Sequence, residues 1–206
     1  MYVLIGAGGH AKVITDILET NNYIIKGFVD DHMNEGNFLQ YPLLGGIEVI
    51  PSLIEKYPDL KFIISIGSNS IRKQLAVKLT KLGVTFGTVI HPSAVISSRA
   101  KIEQGTVVMP NVVINSNVSI GEHCIINSSA VVEHDCHIRD FVHLSPGVLL
   151  AGNVTVGEGT HIGIGVKSIQ NLQIGSNTVV GAGSVIIKNI PDNVTVVGVP
   201  ARNISN

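Results

Sequence analysis

The sequence predicts a mixed fold, with a small Rossmann-like α/β domain over residues 1–88 and a parallel β-helix over residues 89–206. Two observations predict it. From Ile90 to Ile186 an apolar residue recurs at almost every sixth position, whereas before Ile90 short apolar runs alternate with amphipathic segments. A period of six differs from the period of about 3.6 of a helix and from the alternation of a strand, but it fits a short strand followed by a corner.

The six-residue repeat is continuous. Seventeen positions follow the register, and sixteen of them are Ile, Val or Leu, with Ser168 as the exception. The fifth place of each hexad, counted from the register residue, is small or apolar as well. Three hexads then predict one triangular coil of eighteen residues, whose inward side chains pack on those of the next coil. Branched apolar residues suit the inward places, and Gly and Asn suit the corners because they tolerate positive φ.

The first domain is predicted from alternating strands and helices, which imply a small parallel sheet about half the size of a full dinucleotide-binding fold. Pro51 near the start of the second helix and Gly83 after the third are typical of those positions. The expected strands are residues 2–5, 24–29, 61–66 and 84–89, the expected helices are residues 11–20, 51–57 and 70–82, and residues 38–46 are expected to be a loop.

Composition argues against several classes of protein. The net charge is −1 and no basic block occurs, so neither nucleic acid nor an anionic membrane surface is an expected partner. No apolar stretch approaches the ~20 residues of a membrane-spanning helix, and residues 1–6 lack the basic start of a signal peptide. A cytoplasmic protein is therefore expected. Cys124 and Cys136 occupy inward fifth places on different faces of the coil, which predicts buried thiols without a disulfide.

A glycine-rich loop follows the first predicted strand. Gly6-x-Gly8-x-x-Ala11 matches the dinucleotide-binding fingerprint, and it opens a predicted helix, whose backbone N–H groups can hold phosphate. Asp30 ends the second strand, where a carboxylate can accept from a ribose hydroxyl. The pattern allows NAD, a single nucleotide moiety, or a tight turn without a ligand. The absence of a second mononucleotide half favours the single nucleotide.

Three histidines have informative places in the repeat. His134 is third in its hexad, at a corner, where Asp135 can hold one ring nitrogen and leave the other as a base. An exposed corner histidine without a function is the alternative. His143 and His161 each take a sixth place, eighteen residues apart, so their rings should stack on one face. We expect His143 to face the same groove as His134, and surface histidines are expected at His32, His123, His137 and His161.

The order of these motifs resembles the sialic-acid O-acetyltransferase family of hexapeptide acyltransferases, which includes N-acetyltransferases acting on UDP- and GDP-linked 4-amino sugars. The resemblance covers essentially the whole chain. It rests on five features. These are the loop Gly6-x-Gly8-Gly9-His10, a strand ending in Asp30-Asp31, a strand ending in Ile66-Gly67-Ser68-Asn69, the string Glu133-His134-Asp135 with His143 nine residues after His134, and the closing Gly198-Val199-Pro200-Ala201. It implies a left-handed β-helix, although the general rule for crossovers would favour the right hand.

The resemblance also implies roles for residues. It places the nucleotide at Gly8, Gly9, His10, Asp30, Asp31 and Gly67. It makes His134 the general base and Asp135 its partner, where related enzymes often carry Glu. It places acetyl-CoA beside His143, with the pantetheine arm running past Ile164 and Ala182. One coil above His134, the N–H of Gly152 is a candidate oxyanion donor.

The expected function is transfer of acetyl from acetyl-CoA to the amine of a nucleotide-linked amino sugar of the UDP-4-amino-sugar type, in surface glycan biosynthesis. Family members are homotrimers with sites at subunit interfaces, and no metal is expected. The alternative acceptor is a hydroxyl of sialic acid or a related sugar. A zinc-dependent carbonic anhydrase with three His ligands would leave the glycine loop unexplained, and so would a β-helix without chemistry.

Overall fold

The structure is a computed structural model that describes residues 1–32 and 36–204. The chain divides into two compact units, Met1–Pro92 and Ser93–Asn206.

The first unit is a five-stranded sheet with helices. Its elements are β1 (Tyr2–Ile5), α1 (Gly9–Thr20), β2 (Ile25–Val29), β3 (Asn37–Phe38), β4 (Tyr41–Gly45), a 3₁₀ helix (Ile47–Val49), α2 (Ile50–Lys56), β5 (Lys61–Ile64), α3 (Asn69–Lys81) and β6 (Val89–Ile90). The sheet order is β3-β4-β2-β1-β5. The β4, β2, β1 and β5 strands run parallel, and β3 is antiparallel to β4. Helix α1 buries Ile14, Ile17 and Leu18, whose spacing places them on one face of the helix.

Two predictions in this unit are wrong. Residues 38–46 are not a loop, because β4 pairs with β2, with Leu43 beside Phe28. Gly27 makes that approach possible, since a Cβ there would overlap the Pro42 carbonyl and the Leu44 side chain. The pairing is a tertiary contact that local sequence does not encode. The strand expected at 84–89 is reduced to β6 and a single bridge between Phe86 and Phe62.

The second unit is a left-handed parallel β-helix built from two-residue strands, which confirms the predicted repeat. These strands are β7 (Val95–Ile96), β8 (Lys101–Ile102), β9 (Val107–Val108), β10 (Val113–Ile114), β11 (Ser119–Ile120), β12 (Ile125–Ile126), β13 (Val131–Val132), β14 (His137–Ile138), β15 (His143–Leu144), β16 (Leu149–Leu150), β17 (Thr155–Val156), β18 (His161–Ile162), β19 (Lys167–Ser168), β20 (Gln173–Ile174), β21 (Val179–Val180) and β22 (Val185–Ile186). Two strands, β23 (Thr195–Val197) and β24 (Arg202–Asn203), follow them.

From β7 to β22 every third strand pairs in parallel, so the coil has three faces, and β24 closes the third face antiparallel to β23. The first sheet contains β7, β10, β13, β16, β19 and β22; the second contains β8, β11, β14, β17 and β20; the third contains β9, β12, β15, β18, β21, β23 and β24. The pairing joins residues eighteen positions apart, such as Val113 and Val131. The register residues and the fifth places are buried in the middle of the coil; Leu144 and Val148, for example, have no exposed surface. This row of branched side chains is the core.

The corners explain the Gly and Asn residues between the strands. The fourth place of the hexads takes positive φ, as at Asn117 (60°), Asp135 (62°), Asn153 (57°) and Asn171 (61°). These four residues lie one coil apart at one corner, and we call them the corner column. Asn and Asp adopt this conformation more readily than other side chains that carry a Cβ. A short acid at position 135 therefore agrees with the backbone that the coil imposes.

Candidate active site

His134 and Asp135 form a hydrogen-bonded pair at the corner between the first and second sheets. His134 Nδ1 lies 2.8 Å from Asp135 Oδ2, and the two side chains are 62% and 51% exposed. A carboxylate accepts, so Nδ1 carries the hydrogen and Nε2 is left to take a proton. The hydrogen bond from His134 and, to a smaller degree, that from Asn117 lower the pKa of the Asp135 carboxyl below its ordinary value. The pair has the arrangement of a base and the group that orients it.

Gly152 lies against the His134 ring, one coil further along the chain. A Cβ on Gly152 would stand 2.6 Å from His134 Cε1 and 2.7 Å from Nε2. The two coils are joined beside this contact by the Asn153 N–H, which donates to the His134 carbonyl at 2.9 Å. Only a glycine leaves room for the ring at this position, so the backbone of residue 152 is within reach of a group bound at Nε2.

His143 lies on the third sheet, and its tautomer follows from its neighbours. Asn127 Oδ1 accepts the N–H of Ser128 at 2.9 Å, which turns the Asn127 amide nitrogen toward His143 Nε2 at 3.2 Å. The amide nitrogen can only donate, so Nε2 accepts and the proton of a neutral His143 sits on Nδ1. The ring stacks on His161, with centroids 4.7 Å apart and planes 2° apart, as the spacing predicts. His161 Nε2 lies 2.9 Å from Ser145 Oγ.

A single chain does not bring His143 and His134 together. His134 is at the corner between the first and second sheets, whereas His143 begins a strand of the third sheet, which lies opposite that corner in a three-faced coil. The expectation that both face one groove is therefore wrong within one chain. Ile164 and Ala182 occupy third places at the corner that follows the third sheet, where the Gly183 N–H donates to the Ile164 carbonyl at 2.7 Å. Ile164 is 61% exposed.

His123 corrects one sequence prediction. It was expected at the surface, yet it is only 2% exposed, and its ring stacks on Phe141 with centroids 5.3 Å apart. Its backbone has a φ of 54°, and the ring covers Gly105, where a Cβ would collide with it. The glycine one coil earlier provides the space. His32, His137 and His161 are exposed as predicted.

The glycine loop and the end of β5 border open space in the first unit. A Cβ at Gly8, Gly9 or Gly67 would meet nothing within 4 Å. His10 follows in the first turn of α1, and its Nε2 is buried without a hydrogen bond to any residue that the structure describes. Burial, and then the positive charge of Arg72, lower the pKa of His10 to about 4. The glycine loop therefore leaves room for a ligand, and the buried imidazole in the first turn of α1 is held in its neutral form.

Asp30 and Asp31 differ in what their carboxylates contact. Asp30 accepts the N–H of Ala7 at 2.8 Å with Oδ2 and that of His32 at 2.9 Å with Oδ1, so both oxygens brace main chain. Asp31 Oδ1 accepts the N–H of Ile47 at 2.8 Å, and its Oδ2 makes no hydrogen bond within residues 1–32 and 36–204. Both residues line a cavity of about 210 Å³. Its other walls are Ile5, Gly6, Val29, His32, Ile47, Ile66, Ile71 and Leu75. The cavity is mostly apolar, with carboxylates at one side.

Arg72 is a residue of this unit that the sequence analysis missed. It is 1% exposed and donates to the carbonyls of Ile66 and Gly67 and to Asn69 Oδ1, at 3.2, 3.1 and 2.8 Å. The only signal was an arginine in the first turn after Ile-Gly-Ser-Asn. It holds the loop that ends β5.

The described ranges contain no group of three His, Cys, Asp or Glu side chains arranged to hold a metal. They also contain no helix with the length and apolar character needed to cross a membrane.

Comparison with known proteins agrees with both units. The PglD N-terminal domain family matches residues 2–79, and the bacterial transferase hexapeptide (six repeats) family matches residues 99–134. A UDP-N-acetylbacillosamine N-acetyltransferase from Bacillus subtilis is 44% identical over 102 residues, which are 48% of this chain and 46% of that protein. The match thus spans about half the length of this curated relative.

Solved structures match over nearly the full chain. A histidine-to-alanine variant of GDP-perosamine N-acetyltransferase from Caulobacter crescentus, in complex with CoA and GDP-perosamine, is 37% identical with a TM-score of 0.95, covering 100% of this chain and 97% of that one. The acetyltransferase domain of PglB from Neisseria gonorrhoeae, in complex with acetyl coenzyme A, is 35% identical with a TM-score of 0.89, covering 98% of both chains. The chain therefore belongs to the hexapeptide-repeat family of nucleotide-amino-sugar N-acetyltransferases.

Proposed function

We propose that this protein transfers acetyl from acetyl-CoA to the amine of a nucleotide-linked amino sugar of the UDP-4-amino-sugar type, in surface glycan biosynthesis. The observation that carries the proposal is the His134–Asp135 pair, with Nδ1 held at 2.8 Å and Nε2 open beside Gly152. The relatives with CoA and GDP-perosamine bound support the substrate class. N-acetyltransferase names among the matches favour an amine over the hydroxyl of a sialic acid.

The reaction needs one proton acceptor and no covalent enzyme intermediate. As the sugar amine attacks the thioester carbonyl, His134 Nε2 takes a proton from the amine. The C–S bond then breaks, and the proton passes to the CoA sulfur, which leaves as the thiol. Asp135 stabilises the imidazolium, and the N–H of Gly152 donates to the oxyanion. The buried thiols of Cys124 and Cys136 are directed to the carbonyls of Arg139 and Ala151, so neither serves as a nucleophile.

The acceptor's nucleotide binds in the first unit under this proposal. Backbone N–H groups at Gly8 and Gly9, where a side chain would meet only open space, suit the diphosphate. The apolar cavity beside Asp31 suits the base and ribose, with the remaining carboxylate oxygen accepting from a hydroxyl. Gly67 follows Ile66 of the cavity wall, His10 follows Gly9 in the glycine loop, and Asp30 supports the region by holding the loop at Ala7.

We also infer a cytoplasmic homotrimer, because both substrates are cytoplasmic metabolites and one chain leaves the site incomplete. His134 and His143 belong to different sides of the coil, so a site using both takes them from two chains. The first sheet supports such contacts with an outward row of mostly apolar residues. The row is Val95, Val113, Val131, Leu149, Lys167 and Val185. Val95 and Leu149 are 65% and 39% exposed, which suits a face that a second copy covers.

The test of the chemistry is thiol release from acetyl-CoA with UDP-, GDP- and dTDP-linked amino sugars, with sialic acid as the alternative acceptor. His134→Ala should lower kcat by ~10²–10⁴ while the melting temperature stays unchanged. His137→Ala is the matched control, since His137 is also exposed and bonds Ser119 Oγ on the second sheet. If sialic acid is the only acceptor that causes thiol release, the acceptor group is a hydroxyl and not an amine. A His134→Ala enzyme with more than half of the wild-type kcat would exclude His134 as the base.

The test of the shared site is complementation. His134→Ala chains should be nearly inactive, and so should His143→Ala chains when acetyl-CoA is limiting, because His143 is proposed to lie beside that substrate. A mixed assembly should recover activity in about a quarter of its sites if the two histidines of a site come from different chains at random. Unchanged low activity after mixing, in an assembly shown to contain both chains, would contradict the shared site.

A further inference from the structure

We propose that Asn117 is a positioning residue for the reaction, because its side-chain amide holds the Asp135 carboxylate in the orientation that directs His134. Asn117 lies one coil before Asp135 in the corner column. Its side-chain hydrogen bond is to Asp135 and not to either substrate. The inference rests on the proposed role of His134 as the base. Sequence motifs did not single out this residue.

The geometry gives each oxygen of Asp135 one donor. Asn117 Nδ2 donates to Oδ1 at 3.2 Å, and His134 Nδ1 donates to Oδ2 at 2.8 Å. The donors come from different coils. The backbone sets this distance, since the Asp135 N–H donates to the carbonyl of Ser116 at 3.0 Å. Because a carboxylate only accepts, the Asn117 amide must present its nitrogen, and the direction of the bond is settled.

The second donor matters because Asp135 is exposed. Its side chain has 51% of its surface in contact with solvent, so a single bond to His134 would leave the carboxylate free to turn and to exchange partners with water. A donor on the other oxygen restricts that rotation. Both hydrogen bonds also favour the ionised carboxyl, in agreement with the direction of its pKa. The ionised form is the one that stabilises the imidazolium.

A second hydrogen bond in the corner column can be compared with the one between Asn117 and Asp135. Asn153 and Asn171 repeat the same arrangement without an acid, with Asn153 Nδ2 donating to Asn171 Oδ1 at 2.9 Å. Asn171 has a φ of 61°, against 60° for Asn117. If these amides only staple neighbouring coils, losing either one should have the same effect. If Asn117 positions Asp135, only its loss should affect the reaction.

The experiment compares Asn117→Gly with Asn171→Gly. Glycine accepts positive φ, so each variant removes an inter-coil amide bond without backbone strain. Asn117→Gly should lower kcat by about three- to tenfold with both KM values retained, as expected for the loss of one hydrogen bond in an exposed position. Asn171→Gly should stay within about twofold of wild type. Equal losses in both variants, in step with their melting temperatures, would overturn the proposal.

A double-mutant cycle identifies the partner. In an Asp135→Gly enzyme, which keeps the positive φ of residue 135 without strain, adding Asn117→Gly should cause no further loss of kcat, because the group that Asn117 holds is gone. Asn117→Asp, which keeps the shape and the tolerance of positive φ but repels Asp135, should lose more activity than Asn117→Gly. Additive losses in the cycle, or an Asn117→Asp enzyme that matches wild type, would show that Asn117 acts elsewhere.

A second readout does not depend on the acceptor. NMR spectra of the His134 ring nitrogens, recorded on the protein alone, report which ring nitrogen carries the hydrogen. Because the Asp135 carboxylate holds that hydrogen on Nδ1, Asp135→Gly should shift the signals toward the other tautomer. Asn117→Gly should shift them part of the way, and Asn171→Gly should match wild type. If the enzyme fails on every amino sugar but this shift occurs, the proposed substrate is wrong and the positioning role stands. Spectra that are the same with and without Asn117 would overturn the role.

Discussion

Gly152→Ala adds one methyl group beside His134 and tests the geometry of the proposed base. Residue 152 does not need positive φ, so alanine fits the backbone. The new Cβ would lie 2.6 Å from Cε1 and 2.7 Å from Nε2 of His134. Carbon atoms pack at about 3.5–4.0 Å, so the ring must withdraw by about 1 Å.

The His134 ring can move away from the added methyl group. The His134 side chain is 62% exposed and can swing into solvent without opening the core. Its bond to Asp135, 2.8 Å long, would then stretch beyond hydrogen-bonding distance. Misplacement by about 1 Å is enough to cost about 10²-fold in rate. We therefore expect kcat to fall by about that factor in the thiol-release assay, with the melting temperature unchanged.

A control separates the ring from the backbone donor. Alanine keeps the N–H of residue 152, so an effect that acts through His134 should vanish in a His134→Ala background. Adding Gly152→Ala there should leave the residual rate as it was. A Gly152→Ala enzyme with more than half of the wild-type kcat would refute the position of the base, and a further loss in the His134→Ala background would assign the effect to the N–H.

Three further predictions concern residues away from the base. Asp31→Ala should raise the KM for the nucleotide sugar about tenfold or more while the KM for acetyl-CoA stays unchanged. Asp30→Ala should instead lower the melting temperature, because it releases the N–H of Ala7 in the glycine loop and the N–H of His32. Equal rises in both KM values for Asp31→Ala would contradict a separate nucleotide site. Ser168→Val should raise the free energy of unfolding by about 1–2 kcal/mol in a urea titration, because it replaces a buried hydroxyl that has no partner within the described residues; a lower midpoint would show that the coil needs the small side chain. The pKa of His10 is about 4 when folded against 6.5 ordinarily, so the unfolded chain takes up the proton first as pH falls, and stability present above pH 6.5 is lost toward pH 4. This loss is about 2 kcal/mol by about pH 5 and should be absent in His10→Asn, which unfolding curves at two pH values would measure.

The sequence predicts the coil better than the first unit, and the reason is the distance between interacting residues. In the coil the parallel strand pairing joins residues eighteen positions apart, so Ile138 and Val156 reveal their pairing through the register alone. The strand β4 has no such signal, because it forms where Gly27 lets the chain approach β2.

Contacts in the candidate site were likewise predictable from the sequence where they are local or follow the repeat, and not elsewhere. The His134–Asp135 contact is local, and the stacking of His143 on His161 follows from the repeat. The pattern does not reveal that Asp30 spends both oxygens on main chain, or that Arg72 lies buried beneath the loop after β5. Those facts depend on how loops from separate strands meet, which a single sequence does not encode.

The spacing of the coils also fixes the positions of the side chains in the candidate site. Asn117 to Asp135, His134 to Gly152 and His143 to His161 are each one coil apart, so each contact has the spacing of one rung of the parallel ladder. That ladder is held by inward residues such as Val142 and Val148, which are fully buried. The exposed His134–Asp135 pair therefore needs no packed pocket of its own within the chain, because its neighbours are placed by the main chain of the adjacent coils. It follows that a core substitution should affect catalysis only when it changes the spacing of the coils, whereas a change at Asn117 or Gly152 should affect catalysis in a coil that remains intact.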